Sequence, residues 1–159
     1  MLPVTSATAP ESDTALGDWY ANRFVVDRRP LLLLVSARSL LPILLPARDL
    51  RSLPTRLPEL VAQRLRRFGT DRSLIDAEVS AMKPVHVAKT ASRSVLGIMV
   101  DFAFAVPFRL GSGQWDETTL PFVEAKLERT PCFVTRPDVE GLFPDQATRA
   151  LLQSRWGAG

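Results

Sequence analysis

Apolar and polar positions divide the chain into strand-like runs first and helix-like runs afterwards. Asn22–Val26 and Pro30–Val35 are rich in β-formers and flank Asp27-Arg28-Arg29, which reads as a tight hairpin turn. Leu31–Val35 shows no alternation, so its strand is expected to be covered on both faces. Pro42–Leu45 predicts a third short strand closed by Pro46, completing an antiparallel meander over Asn22–Leu45. Arg48–Pro58, punctuated by Pro54 and Pro58, is expected to be a loop with at most a helical turn. Pro58 then opens a helix to Phe68, and Gly69 ends it. Its apolar stripe is Leu57, Leu60, Val61, Leu65 and Phe68, with Gln63, Arg64, Arg66 and Arg67 mainly outside.

A short helix is expected around Ser73–Met82. Pro84–Ala88 alternates as a strand, with Val85 and Val87 inward and His86 on the opposite face. The clearest helix is Ser92–Ala105, with Val95, Leu96, Ile98, Met99 and Phe102 as its stripe and Pro107 marking its end. Gly111-Ser112-Gly113 opens a flexible connection. Thr119–Leu127 is ambiguous, Pro121 disfavouring a helix before it. Cys132–Thr135 is a candidate strand, and Pro144–Trp156 a closing helix with Pro144 in its first turn. Residues 1–15 read as a poorly ordered tail, and residues 16–159 as one compact α+β domain, a short β-meander packed against helices.

Composition narrows the function classes. The chain has 159 residues, 46% hydrophobic and 23% charged, which fits one globular domain and excludes disorder throughout. The net charge of +3 rests on 20 basic residues, of which Lys83, Lys89 and Lys126 are the lysines. That excess is mild for a duplex-binding module, so nucleic acid is a possible but not a favoured partner. The Arg-rich helix face, Arg56, Arg64, Arg66 and Arg67, reads as solvated surface, an acidic or nucleic-acid partner being its functional alternative. The apolar stretch Leu31–Leu45 is broken by Ser36, Arg38, Ser39 and Pro42, short of the roughly 18 uncharged residues of a spanning helix. Met1–Asp18 does not read as a signal peptide. A lone Cys132 leaves no internal disulfide and suits a reducing cytoplasm, without membrane attachment.

Catalytic equipment is sparse. One His and one Cys, His86 and Cys132, are too few for a tetrahedral N/S metal site, and the acidic residues show no D-x-D pairing, so neither metal nor cofactor is expected. His86 is either a strand histidine without chemistry or a general base. Thr-Pro-Cys132-Phe-Val is an apolar setting that favours an inert thiol. The glycines at 111 and 113 lack the Lys-Ser/Thr of a phosphate loop. Ser92-Arg93-Ser94 is either a helix N-cap or an anion site at a helix N-terminus. The expectation is a protein that is not an enzyme. Its rival is an RNase-like or nucleic-acid-binding toxin using His86 and Arg93.

Leu16-Gly-Asp-Trp-Tyr-Ala-Asn22, Val26-Asp-Arg-Arg-Pro30 leading into LLLLVS, and Val87-Ala-Lys-Thr-Ala-Ser-Arg-Ser-Val-Leu-Gly97 together resemble a small bacterial family, the DUF6933 type. The resemblance spans residues 16–143 and implies a compact α+β domain without an established active site. It departs at the N-terminus, where this chain is expected to lack the family's usual opening strand. The chain also resembles toxins of the SocAB type, which block DNA replication by occupying the polymerase sliding clamp. There the antitoxin is an adaptor that delivers the toxin to a protease. That resemblance implies a short clamp-binding peptide, Gln-x-x-Leu-x-Phe or Gln-Leu-x-Leu-Pro-Leu, with a glutamine anchor and apolar side chains in a pocket.

Two segments partly match. Glu117-Thr-Thr-Leu-Pro-Phe122 supplies Leu120, Pro121 and Phe122 after the glycine loop, with Glu in place of Gln and Pro121 expected to keep it extended. Gln63-Arg-Leu-Arg-Arg-Phe68 supplies Gln63, Leu65 and Phe68, but on an expected helix and with Leu one place early. In both, the same residues also read as ordinary core.

Overall fold

The computed structural model describes residues 2–5, 13–87, 92–110, 115–132 and 142–157. Five strands, β1 (Leu2–Thr5), β2 (Trp19–Val26), β3 (Arg29–Ser36), β4 (Pro42–Pro46) and β5 (His86–Val87), form one sheet in the order β4-β3-β2-β1-β5. Every neighbouring pair is antiparallel. Among the described residues five helices accompany it: α1 (Leu53–Phe68), α2 (Arg72–Ala81), α3 (Arg93–Leu110), α4 (Leu120–Leu127) and α5 (Pro144–Trp156). This is the α+β class expected, with β2, β3 and β4 as the meander.

The hairpin turn is the two-residue type whose twist matches its strands. Asp27 and Arg28 both have positive φ, 53° and 66°, and Val26 pairs with Arg29. The leucine run of β3 lies between two cores. Leu32 and Leu34 point into one with Trp19, Leu57, Val61 and Leu65, while Leu31, Leu33 and Val35 point into the other with Met99, Phe102 and Leu127. Every second residue thus meets a different helical layer, which is why the run needs no polar positions. Gly17 is required by its φ of 76° and by Arg38, whose Cγ lies 2.8 Å from where a Cβ would stand.

Several elements differ from expectation, each for a local reason. β1 lies within the residues read as a tail, pairing with β2 and β5, and Thr14 and Ala15 are buried. An opening strand is therefore present. The rest of that tail, Met1 and residues 6–12, lies outside the described residues. α1 starts five residues early. A 3₁₀ turn at Leu50–Ser52 leads into it, Pro54 occupies its first turn, and Pro58 is buried inside it. Pro58 loses the bond toward the carbonyl of Pro54, which buried packing offsets. α1 ends as expected at Gly69, in the left-handed region, with Gly69 N–H on the Arg66 carbonyl and Thr70 N–H on that of Leu65.

α3 runs through Pro107 to Leu110, because the proline ring lies on the exposed side and removes one bond near the helix end. β5 is only two residues long, and Val87 is exposed rather than inward. Cys132 forms an isolated bridge with Leu142, and residues 133–135 of its expected strand lie outside the described residues, as do Gly111–Gly113. Of the expected core, Leu32, Leu34, Leu65, Met99 and Phe102 are buried, and Leu96 is half-buried. α5 begins at Pro144 as expected.

Candidate interaction surface

Glu117–Phe122 is a turn followed by the first turn of α4, not an extended segment. Pro121 at the helix start explains the difference, since that position has no helical acceptor for an N–H and fixed φ suits it. Upstream, the Trp115 indole donates to the Val26 carbonyl at 2.9 Å, and the Arg29 guanidinium lies 4.1 Å over its ring while donating to the Trp115 carbonyl. The Asp116 carboxylate accepts the Thr118 N–H at 2.8 Å and its hydroxyl, and these bonds lower the Asp116 pKa below its ordinary value. Glu117 pairs with Arg48 at 3.0 Å on the surface. Leu120 is then buried in the second core, while Pro121 is exposed and the Phe122 side chain is 72% exposed.

Gln63–Phe68 lies within α1, as expected. Gln63 is exposed, Leu65 is fully buried, and Phe68 is half-buried with the Arg149 guanidinium 4.5 Å over its ring. Of the two segments, the first alone leaves its aromatic free.

A larger apolar feature lies outside both candidate segments. On α3, Val100, Phe104 and Phe108 are 60%, 73% and 74% exposed. At four-residue spacing they form one stripe opposite the buried Val95, Ile98, Met99, Phe102 and Val106. The Phe104 and Phe108 rings are 5.5 Å apart. The legible signal was that this helix is apolar all round, with a stripe beyond the one its core needs.

The buried charges are structural. Arg64, read as solvated, is buried. Its Nε donates to the Pro42 carbonyl at 2.8 Å and lies 3.6 Å from Glu124, and its other nitrogen contacts Glu128 at 3.2 Å. Glu124 also accepts the Leu44 N–H at 2.7 Å and Arg67 at 3.0 Å. This cluster straps α1 to α4 across β4 and occupies groups that the edge strand would otherwise present to another chain. Glu78, fully buried, accepts the N–H of Ala15 at 2.7 Å, of Leu16 at 3.0 Å and of the Trp156 indole at 2.8 Å, tying the segment before β2 and the end of α5 to α2. Neither carboxylate set is open to a substrate.

Burial pushes the Cys132 thiol up to about 11, with nearby Asp101 adding to the effect. Ser92 accepts the Val95 N–H at 3.3 Å, the capping geometry. His86 pairs with Thr5 through β5, and Arg93 begins α3 with an exposed side chain. Among the described residues no three His, Cys, Asp or Glu are grouped to hold a metal ion, and no helix is long and apolar enough to cross a membrane.

Residues 1–147 match a family described as a domain of unknown function, DUF6933, so the match takes in β1 as well as the meander. No curated protein and no solved structure matches the chain.

Proposed function

The chain belongs to the DUF6933 family, and we propose that it is a non-catalytic protein-interaction toxin that acts in the cytoplasm and stops DNA replication by occupying the polymerase sliding clamp. In this reading an antitoxin serves as the adaptor that hands the toxin to a protease. The resemblance of the quoted motifs to SocAB-type toxins supplies the idea. The observation that carries it to a place on the molecule is the free Phe122 ring, held in solvent directly after Pro121.

A groove-binding peptide needs an aromatic anchor that can leave water without first leaving a core. Phe122 meets that condition. Leu120 does not, so binding as an extended peptide requires the first turn of α4 to open and Leu120 to leave the second core, at about 1.5–3 kcal/mol. Opening also gives up the Thr118 and Thr119 bonds to Asp116 and loosens the buried Val123, while Pro121 has no N–H to unpair and the Glu117–Arg48 pair is exposed. Gln63–Phe68 would have to unwind the end of α1 and expose Leu65 as well.

Titration of the full chain against purified bacterial sliding clamp tests this. Phe122→Ala should weaken binding roughly thirtyfold, about 2 kcal/mol, and relieve toxicity with the fold retained. Gln63→Ala should do neither. No binding at tens of micromolar overturns the reading. Loss of toxicity in His86→Ala or Arg93→Ala, with thermal stability unchanged, would favour the catalytic rival.

A further inference from the structure

We infer that the outer face of α3 is a docking surface for a second copy of this chain, the two α3 helices packing antiparallel about a two-fold axis at Phe104. This goes beyond the clamp reading and does not depend on it. The stripe runs from Gly97 through Val100 and Phe104 to Phe108 and points away from the core, with the exposed Asp101 as the charge at its side. Its two ends differ in size: small residues precede Phe104, and an aromatic follows it.

That asymmetry selects the partner and the direction. Gly97, Val100, Asp101 and Phe104 form the diamond of four positions into which a facing helix inserts a knob. The diamond is centred about 5 Å before Phe104 along the helix, and Phe108 lies about 6 Å after it. In an antiparallel pair each Phe108 therefore meets the partner's diamond, whose floor at Gly97 is open, with nothing within 4 Å of where a Cβ would stand. A parallel pair would instead set Phe108 against Phe108 and leave the hole empty. The same patch thus supplies both knob and hole, as an isologous interface requires.

The area is consistent with association of modest strength. The three large side chains and the flanking Gly97, Ala103 and Pro107 offer on the order of 500 Å² per copy, so a pair buries about 1,000 Å², the lower bound for a specific contact. An interface of that size is expected to give a weak, reversible dimer.

Sedimentation equilibrium of the full chain, from about 1 to about 300 µM, should show a reversible monomer–dimer equilibrium. Phe104→Glu should weaken it at least about tenfold with an unchanged circular dichroism spectrum, since the side chain touches no core. Direction is read by mild oxidation in a Cys132→Ser background. A mixture of Val100→Cys and Phe108→Cys proteins should cross-link between the two variants in preference to like with like. A monomer throughout that range, equal association of Phe104→Glu, or preferential like-with-like cross-linking overturns the inference. A stripe that instead carries the monomer onto phosphatidylglycerol vesicles overturns it too.

Discussion

Among the described residues α1 and α3 are the two longest helices, 16 and 18 residues, and they cover opposite faces of the same strands. Their outer faces are opposites. α1 presents Glu59, Gln63 and Arg66 to water, with Arg66 and Glu59 paired at 3.5 Å. α3 presents Val100, Phe104 and Phe108. The inner faces differ as well, because α1 buries the charged Arg64 whereas α3 buries apolar side chains alone. Burial here follows the partner available, not the polarity of the residue. Arg64 is inside because two carboxylates and a strand carbonyl meet it; Phe104 is outside because no described element covers it.

The largest effect should come from the α1 side. Arg64→Ala takes the guanidinium from Glu128, leaves Glu124 only Arg67 and the Leu44 N–H, and should cost about 3–5 kcal/mol in urea unfolding. A loss under 1 kcal/mol would mean that water solvates the strap. Met99→Ala, on the inner face of α3, should cost about 2–5 kcal/mol, and Leu96→Ala, half-buried beside it, less. Equal losses at the two positions would show that α3 sits rotated on the sheet.

The outer faces should be nearly silent in stability. Arg66→Ala and Phe104→Ser should each shift unfolding by no more than about 0.5 kcal/mol, yet Phe104→Ser alone should change self-association. A large destabilisation by Phe104→Ser would place that ring in a core. The smallest signal concerns Cys132, on the flank of α3. Its folded pKa of about 11 lies above the ordinary 9.0. The native thiol therefore keeps its proton to higher pH, and any stability this contributes is lost as pH rises from 9 through 11. At pH 9 iodoacetamide should modify native protein roughly fiftyfold more slowly than urea-unfolded protein. Equal rates would mean that the thiol is open.

Much of the fold was legible because its signals are local. Asp27-Arg28 between two β-rich runs encodes the hairpin, the unbroken leucines of β3 encode a two-sided strand, and Pro144 marks the start of α5. Where prolines misled, at Pro58, Pro107 and Pro121, tertiary packing or a helix-terminal position tolerated the missing N–H. The interaction surface was less legible. Both candidate hexapeptides carry the right residue types, but residue type does not reveal that Leu120 and Leu65 are buried while Phe122 is free.

By itself, the sequence determined the β2–β4 meander, the places of α2, α3 and α5, the two-sided burial of β3, the termination of α1 at Gly69 and the presence of one His and one Cys. Tertiary structure alone decided that Arg64 pairs with Glu124 and Glu128, that Glu78 holds Ala15, Leu16 and Trp156, and that the second stripe of α3 remains uncovered. The physical reason is range. Periodicity and turn chemistry act over a few residues, whereas the Arg64–Glu128 contact spans 64 positions. Whether an apolar face is buried depends on which distant element arrives to cover it.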